Sequence, residues 1–247
     1  MRFLKIVKFD FISLIKNPLL FFLNTAFPLI LVGLIGYVTS GSYNASDISS
    51  YDYYGVTMMI YTAVMITMTV ANTFMERTVK NGNMRIVFSP VTKMDIYLSK
   101  IFATYLFATV SYSLILLIEQ YVFCINLGGK NIIYIMVLIN LFMLFSCCIG
   151  TMLCCLVRSE EVANTVVQPY NQLTAILGGL FFPIAGFGKT MEKISYLSPI
   201  KWVTECIFQI IYDNDFRLMF PVIVLLVLGS VFCIIVCQIR FKPEEYI

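Results

Sequence analysis

From Leu19 to Gln238 the chain runs repeatedly for about 20 residues with almost no charge, and one basic stretch, Glu76 to Lys100, is wedged between two of those runs. An α-helix needs about 20 apolar residues to cross a hydrocarbon layer ~30 Å thick, so runs of this length predict membrane spans. Composition agrees: 60% of the 247 residues are hydrophobic and 13% are charged, against about 25% charged in a soluble domain. Six spans are expected: Leu19 to Val38, Tyr54 to Phe74, Ile101 to Asn126, Ile132 to Val157, Val162 to Ala185 and Leu218 to Gln238. The fold class is therefore an all-α integral membrane protein.

The ends and loops set the expected orientation. Residues 1–17 mix Arg2, Lys5, Lys8, Asp10 and Lys16 with Phe3, Ile6, Phe9 and Ile12 at helical spacing. This reads as an amphipathic helix on the membrane surface, or else as a ragged start to the first span, rather than a cleavable signal peptide. Asn17-Pro18 then turns the chain inward. With the N-terminus in the cytoplasm and six crossings, the C-terminus returns there too. Twelve of the 17 Lys and Arg residues then face the cytoplasm, leaving Lys130, Lys189, Lys193, Lys201 and Arg217 outside, as the positive-inside rule requires. The outer segment 186–217, with Tyr196, Leu197, Trp202 and Phe208, predicts short helices re-entering the outer interface.

Several chemistries are disfavoured. Histidine is absent, which removes the commonest metal ligand and general acid/base, so the chain is not expected to be an enzyme. Cys147, Cys148, Cys154 and Cys155 share one apolar run and read as small packing residues; neither a disulfide framework nor a metal site is expected. Polar residues within spans are few. Glu119, late in span three, is either a transport carboxylate or a group reaching outer water or an outer lysine. Span five carries Gln168, Asn171 and Gln172, and Gly178-Gly179 allows close helix approach, so this helix is expected to line a pathway or a dimer contact, with ordinary interhelical bonding as the alternative.

Within the wedged stretch, Met84, Val87 and Phe88 fall at helical spacing between Gly82 and Ser89-Pro90, and Thr92 with Asp95 forms the capping box of the next helix. Apolar anchors on a short cytoplasmic helix, with Arg77, Lys80 and Arg85 as rim charge, suit docking into a groove; resting on headgroups is the alternative.

These residues resemble a family. Glu76-Arg77, Gly82, the apolar residues leading to Ser89-Pro90-Val91, Lys93 and Lys100-Ile101 are similar to the cytoplasmic signature of type-2 ABC exporter permeases. Gly178-Gly179-Leu180-Phe181-Phe182-Pro183 and the run from Ile194 to Trp202 resemble that family's span-five end and outer segment. Asn83 stands where a threonine commonly follows the glycine.

The resemblance implies one permease domain over residues 1–247 in a bacterial cytoplasmic membrane, paired with an identical or homologous permease. It implies a coupling region at residues 75–100, with Glu76, Arg77, Gly82, Met84, Arg85, Val87, Phe88 and Pro90 meeting a separate ABC-type ATPase dimer. Phe181, Phe182 and Pro183 become outer-gate candidates. The chain has no Gly-x-x-x-x-Gly-Lys-Ser/Thr loop, so ATP and Mg are expected on the partner and no cofactor on this chain.

The expected function is outward movement of an amphiphile: a peptide antibiotic or bacteriocin-like peptide, a drug or a lipid. A secondary transporter or channel using Glu119, a polysaccharide or lipid-linked glycan exporter, and an accessory subunit without a pathway are the competing readings.

Overall fold

The structure is a computed structural model that describes residues 2–42, 49–75, 82–84, 86, 88, 91–157, 160–181, 184 and 188–241. Its helices are α1 (Arg2–Lys16), α2 (Pro18–Asn24), α3 (Ala26–Thr39), α4 (Ser50–Met75), α5 (Lys93–Tyr121), α6 (Ile132–Leu156), α7 (Glu160–Leu177), α8 (Lys189–Ser195), α9 (Pro199–Phe208) and α10 (Met219–Arg240). Among the described residues five stretches are long and apolar enough to cross a membrane: 18–39, 50–74, 93–121, 129–156 and 219–240.

The expected first span is broken in two. Pro28 lacks an N–H, and its ring excludes the carbonyl four residues earlier, that of Asn24. The helix parts at Thr25, whose backbone (φ −130°, ψ −68°) is not helical. Asn24 then turns its side chain to use: its Nδ2 donates to Leu20 O at 2.8 Å and lies 3.2 Å from Thr69 Oγ1 on α4. A buried amide in an apolar layer is satisfied in this way rather than left unpaired.

Two expected boundaries also move. α5 starts at Lys93, where the expected Thr92 box nucleates it, and runs unbroken into the stretch expected from Ile101: Asp95 N–H donates to Thr92 Oγ1, and Thr92 N–H donates to Asp95 Oδ2. It ends at Tyr121 rather than Asn126, before Cys124 takes a left-handed backbone (φ 53°). The helix expected over Val162 to Ala185 stops at Leu177. Gly179 (φ 75°) is the left-handed residue of a Schellman stop, with Gly179 N–H donating to Ile176 O and Leu180 N–H to Ala175 O. α7 is also too polar to count among the five apolar stretches. The helices anticipated between residues 186 and 217 are α8 and α9, the latter continuing as a π-helical turn over Gln209–Asp213.

α4 is the axis of the bundle: 83% of its most apolar window is buried, against 28% for α10. Small residues permit this. A Cβ added to Gly150 of α6 would lie 2.5 Å from the Thr67 carbonyl oxygen of α4, so the two backbones touch as small-residue membrane contacts do. Met58, Met59, Ile60, Ile139, Phe142 and Met143 fill the surrounding core.

Polar contacts fix which helix ends meet. The end of α4, the start of α5, α1 and the end of α10 gather at one end of the bundle, where Tyr97 OH donates to Gln238 Oε1 at 2.7 Å and the Phe241 ring meets Phe74 and Tyr97 edge-on. At the other end Asn126 N–H donates to Asp52 Oδ1, Asn131 Nδ2 to Asn214 Oδ1, and Tyr53 OH to Gly179 O.

Gly150→Val places its side chain against a backbone that cannot retreat and is expected to lower stability by about 1–3 kcal/mol. Gly41, whose added Cβ meets nothing within 4 Å, is the control: Gly41→Ala is expected to stay within about 0.5 kcal/mol. Thermal unfolding of the two purified variants in detergent checks the contrast.

Candidate functional site

The densest polar chemistry is a node at the bundle end where α1, α4 and α5 meet. On α1 the residues facing the protein are Ile6, Val7, Asp10 and Leu14, all buried. Their spacing is one helical stripe, with an acid among apolar residues. That stripe packs on α5: Phe3 meets Phe102 edge-on, with ring centroids 5.9 Å apart, and Leu14 clusters with Leu20 and Phe107. α1 is thus docked on the bundle along one face, while Leu4, Phe9, Ile12 and Ile15 stay exposed.

Asp10 meets Lys100 of α5, whose Nζ donates to Asp10 Oδ1 at 2.6 Å; the two side chains are 3% and 2% exposed. Lys100 Nζ donates a second bond, also 2.6 Å, to Asn83 Oδ1. Asn83 Nδ2 in turn donates to the Thr73 and Phe74 carbonyls at 3.2 and 3.0 Å. Those carbonyls lie in the last described turn of α4. One chain of hydrogen bonds therefore ties α1, α4, α5 and the segment between α4 and α5. Burial pushes the Asp10 carboxyl above its ordinary pKa, and the Lys100 charge pulls it back. Desolvation is the larger of the two, so the carboxyl stays above its ordinary value beside Lys100.

The segment expected to dock a partner begins at this node. Gly82 sits against α1, where an added Cβ would come 3.2 Å from the Phe9 ring. Gly82, Asn83, Met84 and Ile86 have helical backbone, and Phe88 N–H donates to Met84 O at 3.1 Å, one helical turn. Ile86 packs toward the core, Met84 is half-buried, and Phe88 is 76% exposed. Glu76, Arg77, Arg85, Val87 and Pro90 lie outside the described residues.

A second polar line joins α7 to α4. Thr67 Oγ1 donates to Asn171 Oδ1 at 2.7 Å, Gln172 Nε2 to Tyr61 OH at 3.1 Å, and Tyr53 OH to Gly179 O at 3.0 Å. Asn171 and Gln172 thus serve as interhelical bonds in this chain, whereas Gln168, Leu173 and Ile176 are exposed. Of the adjacent glycines, Gly178 permits the approach of α9: a Cβ there would run into Ile200 Cγ2. Gly179 instead terminates the helix.

Phe181 is half-buried with its ring edge-on to Tyr61, centroids 5.2 Å apart; Phe182 and Pro183 lie outside the described residues. Glu119 is fully buried, and neither carboxylate oxygen has a partner among the described residues. It therefore does not reach water or an outer lysine, one of the roles expected for it. Nor do the described residues hold any cluster of three His, Cys, Asp or Glu suited to a metal.

Sequence reasoning passed over the node. Asp10 was counted among the charges of an amphipathic helix, Lys100 among the cytoplasmic cations, and Asn83 as a departure from a pattern. One signal was present: Asp10 occupies an apolar-stripe position of α1, and a buried acid requires a buried cation. Which cation answers it depends on helix packing.

The family described as ABC-2 type transporter matches residues 1–212. The linearmycin resistance permease protein LnrN of Bacillus subtilis (strain 168) is 28% identical over 153 residues. That alignment takes in 61% of this chain and 39% of the relative, so the chain matches well under half of that protein's length.

Removing one partner of the buried pair leaves an uncompensated charge, a cost of about 3–5 kcal/mol. Asp10→Ala and Lys100→Met are each expected to destabilise by that amount, and the double variant by clearly less than their sum. Thermal unfolding of the four proteins, read as a double-mutant cycle, measures the coupling. Additive losses would show that the pair contributes nothing beyond its separate side chains.

Proposed function

Because the chain belongs to the ABC-2 type transporter family, we propose that it is the permease of an ATP-driven exporter whose ATPase is a separate subunit. The observation that carries this reading is Phe88. A large apolar side chain stands 76% exposed on a helical turn whose neighbour, Asn83, is bonded to α4 and, through Lys100, to α5 and α1. A groove on the ATPase takes Phe88, Met84 and Val87, with Glu76, Arg77 and Arg85 at the rim and Gly82 and Pro90 bounding the turn. Closure of the two ATPase subunits on ATP and Mg then pushes the turn toward the bundle. The push reaches α4 through its capped carbonyls and α5 through Lys100, so the two helices move together instead of the loop deforming alone.

In the membrane we place six crossings, α2 with α3 forming the first and α7 the fifth. The antiparallel bonds from Thr67 to Asn171 and from Tyr53 to Gly179 support α7 as a crossing, because they hold its second half alongside α4 from the interior of that helix to its start. The termini and the 75–100 region face the cytoplasm of a bacterial cell, by the charge bias. The exposed residues of α7, Gln168, Leu173 and Ile176, meet a second permease, identical or homologous, and the two enclose the pathway; Phe181, Phe182 and Pro183 gate its outer end. The cargo is an amphiphile. A relative named as a resistance permease supports a drug or peptide antibiotic over a structural glycan.

Phe88→Asp and Met84→Asp are expected to abolish both co-purification of the ATPase and substrate-stimulated ATP hydrolysis, with the permease still folded. Retention of both would refute the docking role. Labelling a cysteine placed at Arg85 from outside the cell would refute the orientation. A secondary transporter would instead use Glu119, whose burial without a partner is the feature in its favour. The exporter reading expects Glu119→Gln to keep ATP-dependent export and to lack any dependence on the proton gradient; transport that follows the gradient and disappears with Glu119→Gln would decide for the alternative.

A further inference from the structure

α1 presents two faces. At about 100° per residue, the buried Ile6, Val7, Asp10 and Leu14 fall on one side of the helix, and a second set falls within an arc of about 140° on the other. That outward arc carries Leu4, Phe9, Ile12 and Ile15, between 39% and 68% exposed, interleaved with exposed Lys5, Lys8 and Lys16. Its charge is of one sign, because Asp10, the acid of α1, belongs to the buried stripe. Lys93 at the start of α5 and Arg240 at the end of α10 are exposed at the same end of the bundle, where Asp95 is engaged in the Thr92 box. Between α1, the start of α2 and the end of α4 a cavity of about 490 Å³ remains, so on that flank protein does not press α1 into place.

Four large apolar side chains set among lysines suit neither water nor an apolar core. They fit the boundary between headgroups and acyl chains, where apolar side chains enter the acyl layer and lysine stems bend their ammonium groups toward phosphate. Position agrees, because Asn17 alone separates α1 from α2, which opens the membrane-length stretch 18–39. Phe9 ties this face to the docking turn: a Cβ on Gly82 would come 3.2 Å from its ring, while Asp10 beside it holds Lys100 and, through Lys100, Asn83. We propose that the outward face of α1 binds anionic phospholipid, and that the bound lipid braces α1 behind the docking turn. The lysines select the lipid, since a zwitterionic surface has no net charge to offer three cations. The lipid contact rests on the face alone; its effect on coupling rests on the docking reading.

The test places the full chain in nanodiscs of phosphatidylcholine with and without phosphatidylglycerol. It reads the thermal midpoint at low and high salt and, by native mass spectrometry after extraction, the lipids retained. Phosphatidylglycerol is expected to raise the midpoint, less so at high salt, and to be retained over phosphatidylcholine. The α1 variant, Lys5→Gln with Lys8→Gln and Lys16→Gln, should lose on the order of a hundredfold of that preference, about fivefold per lysine. An outer variant with the same charge removed, Lys130→Gln with Lys189→Gln and Lys193→Gln, should lose far less.

Equal retention of the two lipids by the wild type overturns the proposal, as does an undiminished preference in the α1 variant or an equal loss in the outer one. An equal midpoint shift from inorganic phosphate would overturn the membrane lipid as the source. With the ATPase bound, phosphatidylglycerol should raise substrate-stimulated ATP hydrolysis, and the α1 variant should lose that rise while still holding the ATPase. A lipid preference without the rise overturns the brace. Retention of the ATPase by Phe88→Asp, with the lipid preference intact, would sink the docking reading and leave the lipid contact of α1 standing.

Discussion

Asp10 and Lys100 form a buried ion pair in a molecule otherwise built from apolar contact, and the arrangement of the helices depends on it. Two isolated charges would be expelled from such surroundings, because burying an unpaired ion costs several kcal/mol. Their juxtaposition is stable only with α1 lying across α5 in one register, and with Asn83 near enough to accept the second Lys100 bond. Apolar packing alone would let α1 slide or roll, since lipid offers its apolar residues as good an environment as protein does. The ion pair removes that freedom.

The same logic runs through the rest of the bundle. In a membrane the hydrophobic effect does not choose which helix touches which, so steric fit and hydrogen bonds choose. α4 touches α6 where Gly150 removes a side chain, and touches α7 where Thr67, Tyr61 and Tyr53 find Asn171, Gln172 and Gly179. Asn24, at the break caused by Pro28, attaches the first span to Thr69. Asn24, Asn171 and Gln172 act as addresses in this way, and α4 carries the matching partners. This explains why α4, not the most apolar helix, is the most enclosed, whereas the more apolar α10 packs at the periphery.

The proposed coupling draws on both features. A docking turn that merely touched the bundle would absorb a push by bending. Asn83 bonds the Thr73 and Phe74 carbonyls of α4 while accepting from Lys100, so in that proposal displacement of the turn is shared between two helices before either has moved far. Asn83 is then the joint of this segment. Its amide offers donors and an acceptor at once, whereas a hydroxyl has a single proton to give.

Much of the fold was legible in the chain because its signals are local. Run length and charge marked the spans, the Thr92 and Asp95 spacing marked the start of α5, and Trp202 with its aromatic neighbours marked the short helices after α7. Where local reading slipped, a backbone event decided: Pro28 broke the first span, and Gly179 closed α7 early. Gly178-Gly179 looked like a packing pair, but only Gly178 packs. The candidate site was half legible. Phe88 and Met84 could be picked out by periodicity, and the polar wealth of span five was plain from composition.

The partners of those residues were not legible, because pairing Asp10 with Lys100 or Asn171 with Thr67 joins positions far apart in the chain, and their meeting is set by how the helices stack. The sequence by itself determined that the chain is a bundle of membrane-length helices with a polar segment between the second and third runs, since hydropathy and helix length are properties of contiguous residues. Only the tertiary structure decided which charges are buried, which amides join helices and where a cavity remains, since those follow from distances between residues that the chain order does not constrain.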